Sequence, residues 1–120
     1  MAEAERAVDP AAMDRLLDMT GGDPAFVDEL VQTYLEDGVE QLAAMHAAAN
    51  DGAIESLIRP AHSLKSNSAN MGAEGLAQIC RELESEARSG AVARVSERVD
   101  EAAALFERVR TELVALREPQ

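Results

Sequence analysis

Between Pro24 and Asn50 the residues Phe26, Val27, Leu30, Val31, Tyr34, Leu35, Leu42, Met45 and Ala49 recur three and four positions apart. That spacing fills one face of a helix and does not line one face of a strand. At 1.5 Å per residue the helix is on the order of 40 Å long. A chain of 120 residues can bury so long a stripe only by laying its other elements alongside it, and those elements show the same periodicity. Ile54, Leu57, Ile58, Ala61, Leu64, Ser68 and Met71 mark a third helix, and Leu76, Ile79, Cys80, Leu83 and Ala87 a fourth. Val92, Val95, Val99, Ala102, Phe106, Val109, Leu113 and Leu116 mark a last one with near-heptad spacing.

The punctuation between these stripes is short. Thr20-Gly21-Gly22-Asp23-Pro24 combines two helix-ending glycines, an N-cap and a first-turn proline. Before it, a short helix runs from Pro10 through Met19 with Met13, Leu16 and Leu17 inward, and residues 1–9 read as a flexible lead. Asn50-Asp51-Gly52, Gly72 and Ser89-Gly90 supply the later turns, and Pro119 lies past the last helix. Pro60 falls inside the third stripe and predicts a kink just before His62. Gly38, inside the long helix, points to close helix packing or to a flat surface for a partner. Short turns between long amphipathic helices predict an all-α fold, an antiparallel up-down four-helix bundle with a short additional N-terminal helix, in one domain over residues 10–118.

Composition removes several function classes. Hydrophobic residues make up 47% of the chain and aromatics 2%, with no tryptophan, so the core is aliphatic and no base-stacking platform is expected. A net charge of −12 repels phosphate backbones and anionic lipid, which argues against nucleic-acid and membrane partners. Cys80 is the one cysteine, expected as a buried inert thiol with no disulfide and no cysteine-based zinc site. Neither a signal-type apolar segment nor a run of about 20 apolar residues occurs, so a cytoplasmic, soluble protein is expected. Four helices suffice to bury the stripes, which favours a monomer.

Chemistry concentrates in Ala61-His62-Ser63-Leu64-Lys65-Ser66-Asn67-Ser68-Ala69-Asn70-Met71-Gly72-Ala73. On a helix His62, Lys65, Ser66 and Ala69 share one face. Imidazole offers a lone pair near neutral pH, and a lysine one turn on can screen a phosphoryl group placed on it. Ala61 and Leu64 take the inward positions and leave His62 on the margin of the stripe, on a convex surface that holds no catalytic machinery of its own. His46 has no such company and reads as a solvated side chain.

The run His62-Ser63-Leu64-Lys65-Ser66-Asn67-Ser68, followed by Gly72-Ala73, Leu76, Cys80 and Leu83-Glu84, resembles the signature of the histidine-containing phosphotransfer (HPt) domains of two-component phosphorelays. Upstream, Met19-Thr20-Gly21-Gly22-Asp23-Pro24 and the helix after it are similar to the first half of many such domains, so the resemblance covers about Pro10 to Arg117. It implies His62 as phosphoacceptor through Nε2, Lys65 as support for the phosphoryl group, and Glu84 as a group reaching Nδ1 to orient the ring. Ser66 stands where glycine is commonest, and its hydroxyl could contact the phosphate or restrict a partner's approach. The implied partners are response-regulator receiver domains and a sensor or hybrid histidine kinase. The implied role is a carrier without an ATP site or cofactor of its own, the receiver supplying Mg²⁺. Arg81 and Arg88 read first as surface i to i+4 ion-pair residues and second as cations that help attract an acidic receiver. No basic docking patch is visible in so acidic a chain, so partner recognition is expected on an exposed apolar margin around His62 drawn from the second and third helices.

Three other classes are weighed on the residues alone, of which the first stays open. A helical adaptor would keep the fold and do no phosphotransfer. A di-metal carboxylate bundle is disfavoured because no Glu-x-x-His pair occurs. A self-contained kinase is disfavoured by the lack of a glycine-rich phosphate loop.

Overall fold

The structure, a computed structural model, describes residues 6–117. Five α-helices form it: α1 (Ala11–Met19), α2 (Pro24–Asp51), α3 (Ile58–Asn70), α4 (Glu74–Arg88) and α5 (Val95–Arg117). The four long ones build an antiparallel up-down bundle, with α2 against α3 and α5, and α4 against α3 and α5. Helix α1 lies on α2. No helix among the described residues is long and apolar enough to cross a membrane.

Each boundary has a local cause. Asp23 caps α2, its carboxylate accepting from the N–H groups of Ala25 at 3.0 Å and Phe26 at 3.3 Å, and Pro24 takes the first helical position. Helix α3 ends in a reciprocal glycine turn: Gly72 adopts φ +79°, and Ala73 N–H donates to the Ser68 carbonyl at 2.8 Å. Gly72 is required twice over, since a Cβ there would stand 2.5 Å from the Ala12 Cβ and 3.0 Å from the Asp9 carbonyl oxygen. The absent side chain therefore lets the N-terminal segment close over the end of α3.

The core is aliphatic, as the composition predicts, with Leu57, Leu64, Leu76, Leu83, Leu113, Met45 and three interior valines of α2 and α5 fully enclosed. Cys80 is buried and unpaired, and burial pushes its thiol up to about 12. Gly38 is a packing position: a Cβ would meet the Phe106 ring at 2.4 Å. Phe106 in turn sets its ring 5.8 Å from that of Tyr34. The Tyr34 hydroxyl, whose pKa burial raises to about 12, shares a 2.8 Å hydrogen bond with Ser68 across α2 and α3.

Four expectations change. The segment after Gly52 is not one kinked helix. A 3₁₀ turn over Ile54–Leu57 precedes α3, and Pro60 is the third residue of α3, in the first turn, where its missing N–H costs no intrahelical bond. Of the flexible lead expected over residues 1–9, residues 1–5 lie outside the described residues, and Ala7 and Val8 are buried instead of free. Their N–H groups donate to the Glu112 carboxylate at 2.8 to 2.9 Å, and Asp9 N–H donates to the Gly72 carbonyl at 2.9 Å. Helix α5 begins at Val95, because Arg94 takes a left-handed φ of +54° and leaves Val92 in the preceding turn. Phe26 and Leu116, assigned to inward stripes, are exposed at the end of the bundle where α2 starts and α5 finishes.

Candidate functional site

Antiparallel packing of α3 and α4 brings His62, in the second turn of α3, beside Glu84 in the third turn of α4. Leu83, Cys80 and Ala87 anchor α4 in the core, which leaves Glu84 at the edge of its buried face with a side chain only 9% exposed. A carboxylate so placed needs partners, and it has three. His62 Nδ1 lies 3.0 Å from Oε2, Lys65 Nζ donates to Oε1 at 2.7 Å, and the Arg88 guanidinium donates to Oε2 at 2.8 and 3.1 Å. These bonds, that of Lys65 first, outweigh desolvation and hold the Glu84 carboxyl at about 2.

This contact bears on the tautomer. An ionised carboxylate only accepts, so Nδ1 is placed to donate to it, and a neutral ring protonated there keeps its lone pair on Nε2 at the opposite edge. His62 is 55% exposed, so the ring is held on one side and open on the other. Lys65, at 24%, is more enclosed, its stem lying along the seam with the ammonium on Glu84.

The residues singled out in the sequence thus divide. His62, Lys65 and Glu84 meet in one cluster. Ser66 is exposed one turn beyond His62, with no side-chain hydrogen bond among the described residues. Arg88 makes the i to i+4 pair expected of it, but onto the same carboxylate that holds the histidine. The Glu84–Arg88 spacing of four signalled a pair; that it belonged to the site required the α3–α4 packing. His46 lies 3.7 Å from Asp100, both well exposed, apart from this cluster.

His62 stands on an exposed surface. A cleft of about 520 Å³ opens elsewhere, lined by Leu16, Leu30, Tyr34, Asp37, Asn67 and Met71 among others, and it includes none of His62, Lys65 or Glu84. An exposed imidazole outside this cleft is accessible to another macromolecule and has little around it with which to activate a small substrate.

Comparison with known proteins agrees with this geometry. No curated protein sequence matches the chain. The structure of histidine-containing phosphotransfer protein B (HptB) from Pseudomonas aeruginosa PAO1 is similar, with a TM-score of 0.84 and 31% identity over 94% of this chain and 96% of that one. Residues 29–118 match the Hpt domain family, a span that takes in the His62 cluster and nearly all of the bundle. The chain therefore belongs to the Hpt domain family of histidine phosphotransfer proteins.

Proposed function

We propose that His62 is the phosphoacceptor and that the protein relays a phosphoryl group to and from the aspartate of response-regulator receiver domains. The observation that carries this reading is the 3.0 Å bond from His62 Nδ1 to an ionised, nearly buried Glu84, which leaves Nε2 as the nucleophile. The Nε2 lone pair attacks the phosphorus of a receiver's aspartyl phosphate. The N–P bond forms as the P–O bond to the aspartyl carboxylate breaks, and the carboxylate leaves. No proton has to move: Nδ1–H stays in place, the ring becomes an imidazolium, and Glu84 stabilises the new charge. The reverse path returns the phosphoryl group, which suits a carrier.

Lys65 is the phosphate support in this reading, one turn from the new dianion and able to turn its ammonium from Glu84 toward it. Glu84 is a positioning residue, acting through the ring. Ser66 stands at the rim, where its hydroxyl can meet the phosphate or the incoming receiver. The receiver contributes Mg²⁺ and the groups that stabilise the transferring phosphoryl, this chain binding no cofactor; a sensor or hybrid kinase charges the pathway from the cytoplasm. A monomer suffices, since the apolar stripes are buried within one chain except at their ends, Phe26 and Leu116.

The test is phosphate incorporation from a receiver domain charged with acetyl phosphate, read by intact mass on wild type and His62→Gln. One acid-labile, alkali-stable adduct on wild type and none on the variant is expected. Receiver binding that persists in both proteins with no adduct on either would replace the carrier with an adaptor.

A further inference from the structure

The net charge of −12 conceals an island of opposite sign, and its position suggests how a partner finds His62. Helix α3 contains Arg59, His62 and Lys65 at successive three-residue steps and no acidic residue. Arg81, Glu84 and Arg88 share one face of α4 at three-and-four spacing, on the side that meets α3. Four of the chain's 11 lysines and arginines thus line one seam with a single acid, and that acid is nearly buried. The remainder of the molecule carries 22 acids against seven cations.

Three of the acids close to the seam are held by other partners, while Glu55, one turn before Arg59, is exposed at its end. Glu82 and Glu86 of α4 are drawn to the opposite side by Arg98 of α5, at 3.1 and 2.7 Å. Asp37 of α2 accepts from Asn67 at 3.2 Å and from Gln41 at 3.3 Å. Among the described residues Arg59 and Arg81 pair with no carboxylate, Arg81 meeting only Gln78, so both present uncompensated charge beside the cluster. Neither makes a hydrogen bond or ion pair to His62 or Glu84.

Resting on the carrier reading, we propose that the α3–α4 seam is a cationic docking island that selects a partner face that is anionic where it meets His62, with Arg59 and Arg81 acting on association and not on the transfer step. Charge complementarity picks the occupant: a phosphoryl-bearing aspartate among carboxylates. Screening sets the range. The Debye length is about 8 Å at 0.15 M salt, whereas the molecule is 45 Å long, so a partner near the seam responds to the island and not to the acidic body. At about 0.01 M the Debye length reaches roughly 30 Å and the whole negative charge is felt. Association with an acidic receiver should therefore speed up as salt rises from about 0.01 to 0.1 M and slow again at higher salt.

Two measurements test this. Nitroxide spin probes of one ring frame, bearing a carboxylate or an ammonium, report the sign of the field through relaxation of the His62 ring protons. The anionic probe is expected to relax those protons more, the cationic probe to relax the exposed face of α5 more, and Arg59→Gln/Arg81→Gln to narrow the difference at His62. Stopped-flow association with a charged receiver should be slowed about three- to tenfold by that double variant at 0.1 M salt and less than twofold at 0.5 M. Arg108→Gln/Arg117→Gln, an equal charge change on α5 away from the seam, should have little effect. Stronger relaxation of His62 by the cationic probe, or equal slowing by both double variants, would overturn the island. If no receiver takes part while the anionic probe still prefers His62, the carrier reading and the docking role fall together.

Discussion

The α2–α5 interface and the α3–α4 seam are both contacts between antiparallel neighbours, built on different physics. At α2–α5 a glycine admits an aromatic ring: Phe106 fills the space over Gly38, stacks at a tilt on Tyr34 and takes the Arg110 guanidinium 5.5 Å above it. At α3–α4 one nearly buried carboxylate collects three cationic or protic side chains at its outer edge, above a wall of leucine and alanine. The first contact is apolar and serves stability. The second spends part of its surface on a polar cluster, which stabilises only while every member is satisfied.

That contrast breaks most visibly at Phe106. Phe106→Ala should cost about 3 to 5 kcal/mol of stability, seen as an early urea-unfolding midpoint by circular dichroism. Phosphate uptake per folded molecule should stay at the wild-type level. Uptake falling in step with core packing would mean that the two contacts are not separable.

Glu84→Gln acts on the other contact and should cost no more, at most about 3 kcal/mol at pH 7. The folded carboxyl sits at about 2 against an ordinary 4.5, so the contribution is complete above the unfolded value and is lost as pH falls from about 4.5 toward 2. The gap between wild type and variant in urea unfolding should close over that window. A gap unchanged at pH 3 would show that the ionised carboxylate is not its source. The same variant should slow phosphoryl acceptance more than it slows receiver association.

The two contacts were not equally legible. The α2 stripe gave its helix to within a residue at the C-terminal end, because Asp23-Pro24 and Gly52 are local signals. Gly38 stayed ambiguous until Phe106, on a helix distant in sequence, could be placed against it. The 3₁₀ turn before α3 was hidden because Ile54, Leu57 and Ile58 fit either continuation. Docking of Ala7 and Val8 depends on Glu112, more than a hundred residues away. His62 and Lys65 were visible as neighbours on one helix; Glu84 came from the family resemblance, and its part in the cluster needed α4 laid beside α3. Of the cationic island, Arg81 and Arg88 were visible as cations on one helix, whereas Arg59 joins them only once α3 is laid beside α4, and the expected apolar docking margin gives way to a cationic one.

The claim beneath the functional reading is that Glu84 fixes the His62 tautomer and leaves Nε2 free, and long-range ¹⁵N–¹H correlation spectra of the imidazole test it most directly. Above the ring's own titration, the account predicts a protonated, pyrrole-type Nδ1 and a pyridine-type Nε2 in wild type, with the two forms mixing in Glu84→Gln. A protonated Nε2 in the wild-type protein, or a tautomer that the Glu84 substitution does not alter, would contradict it.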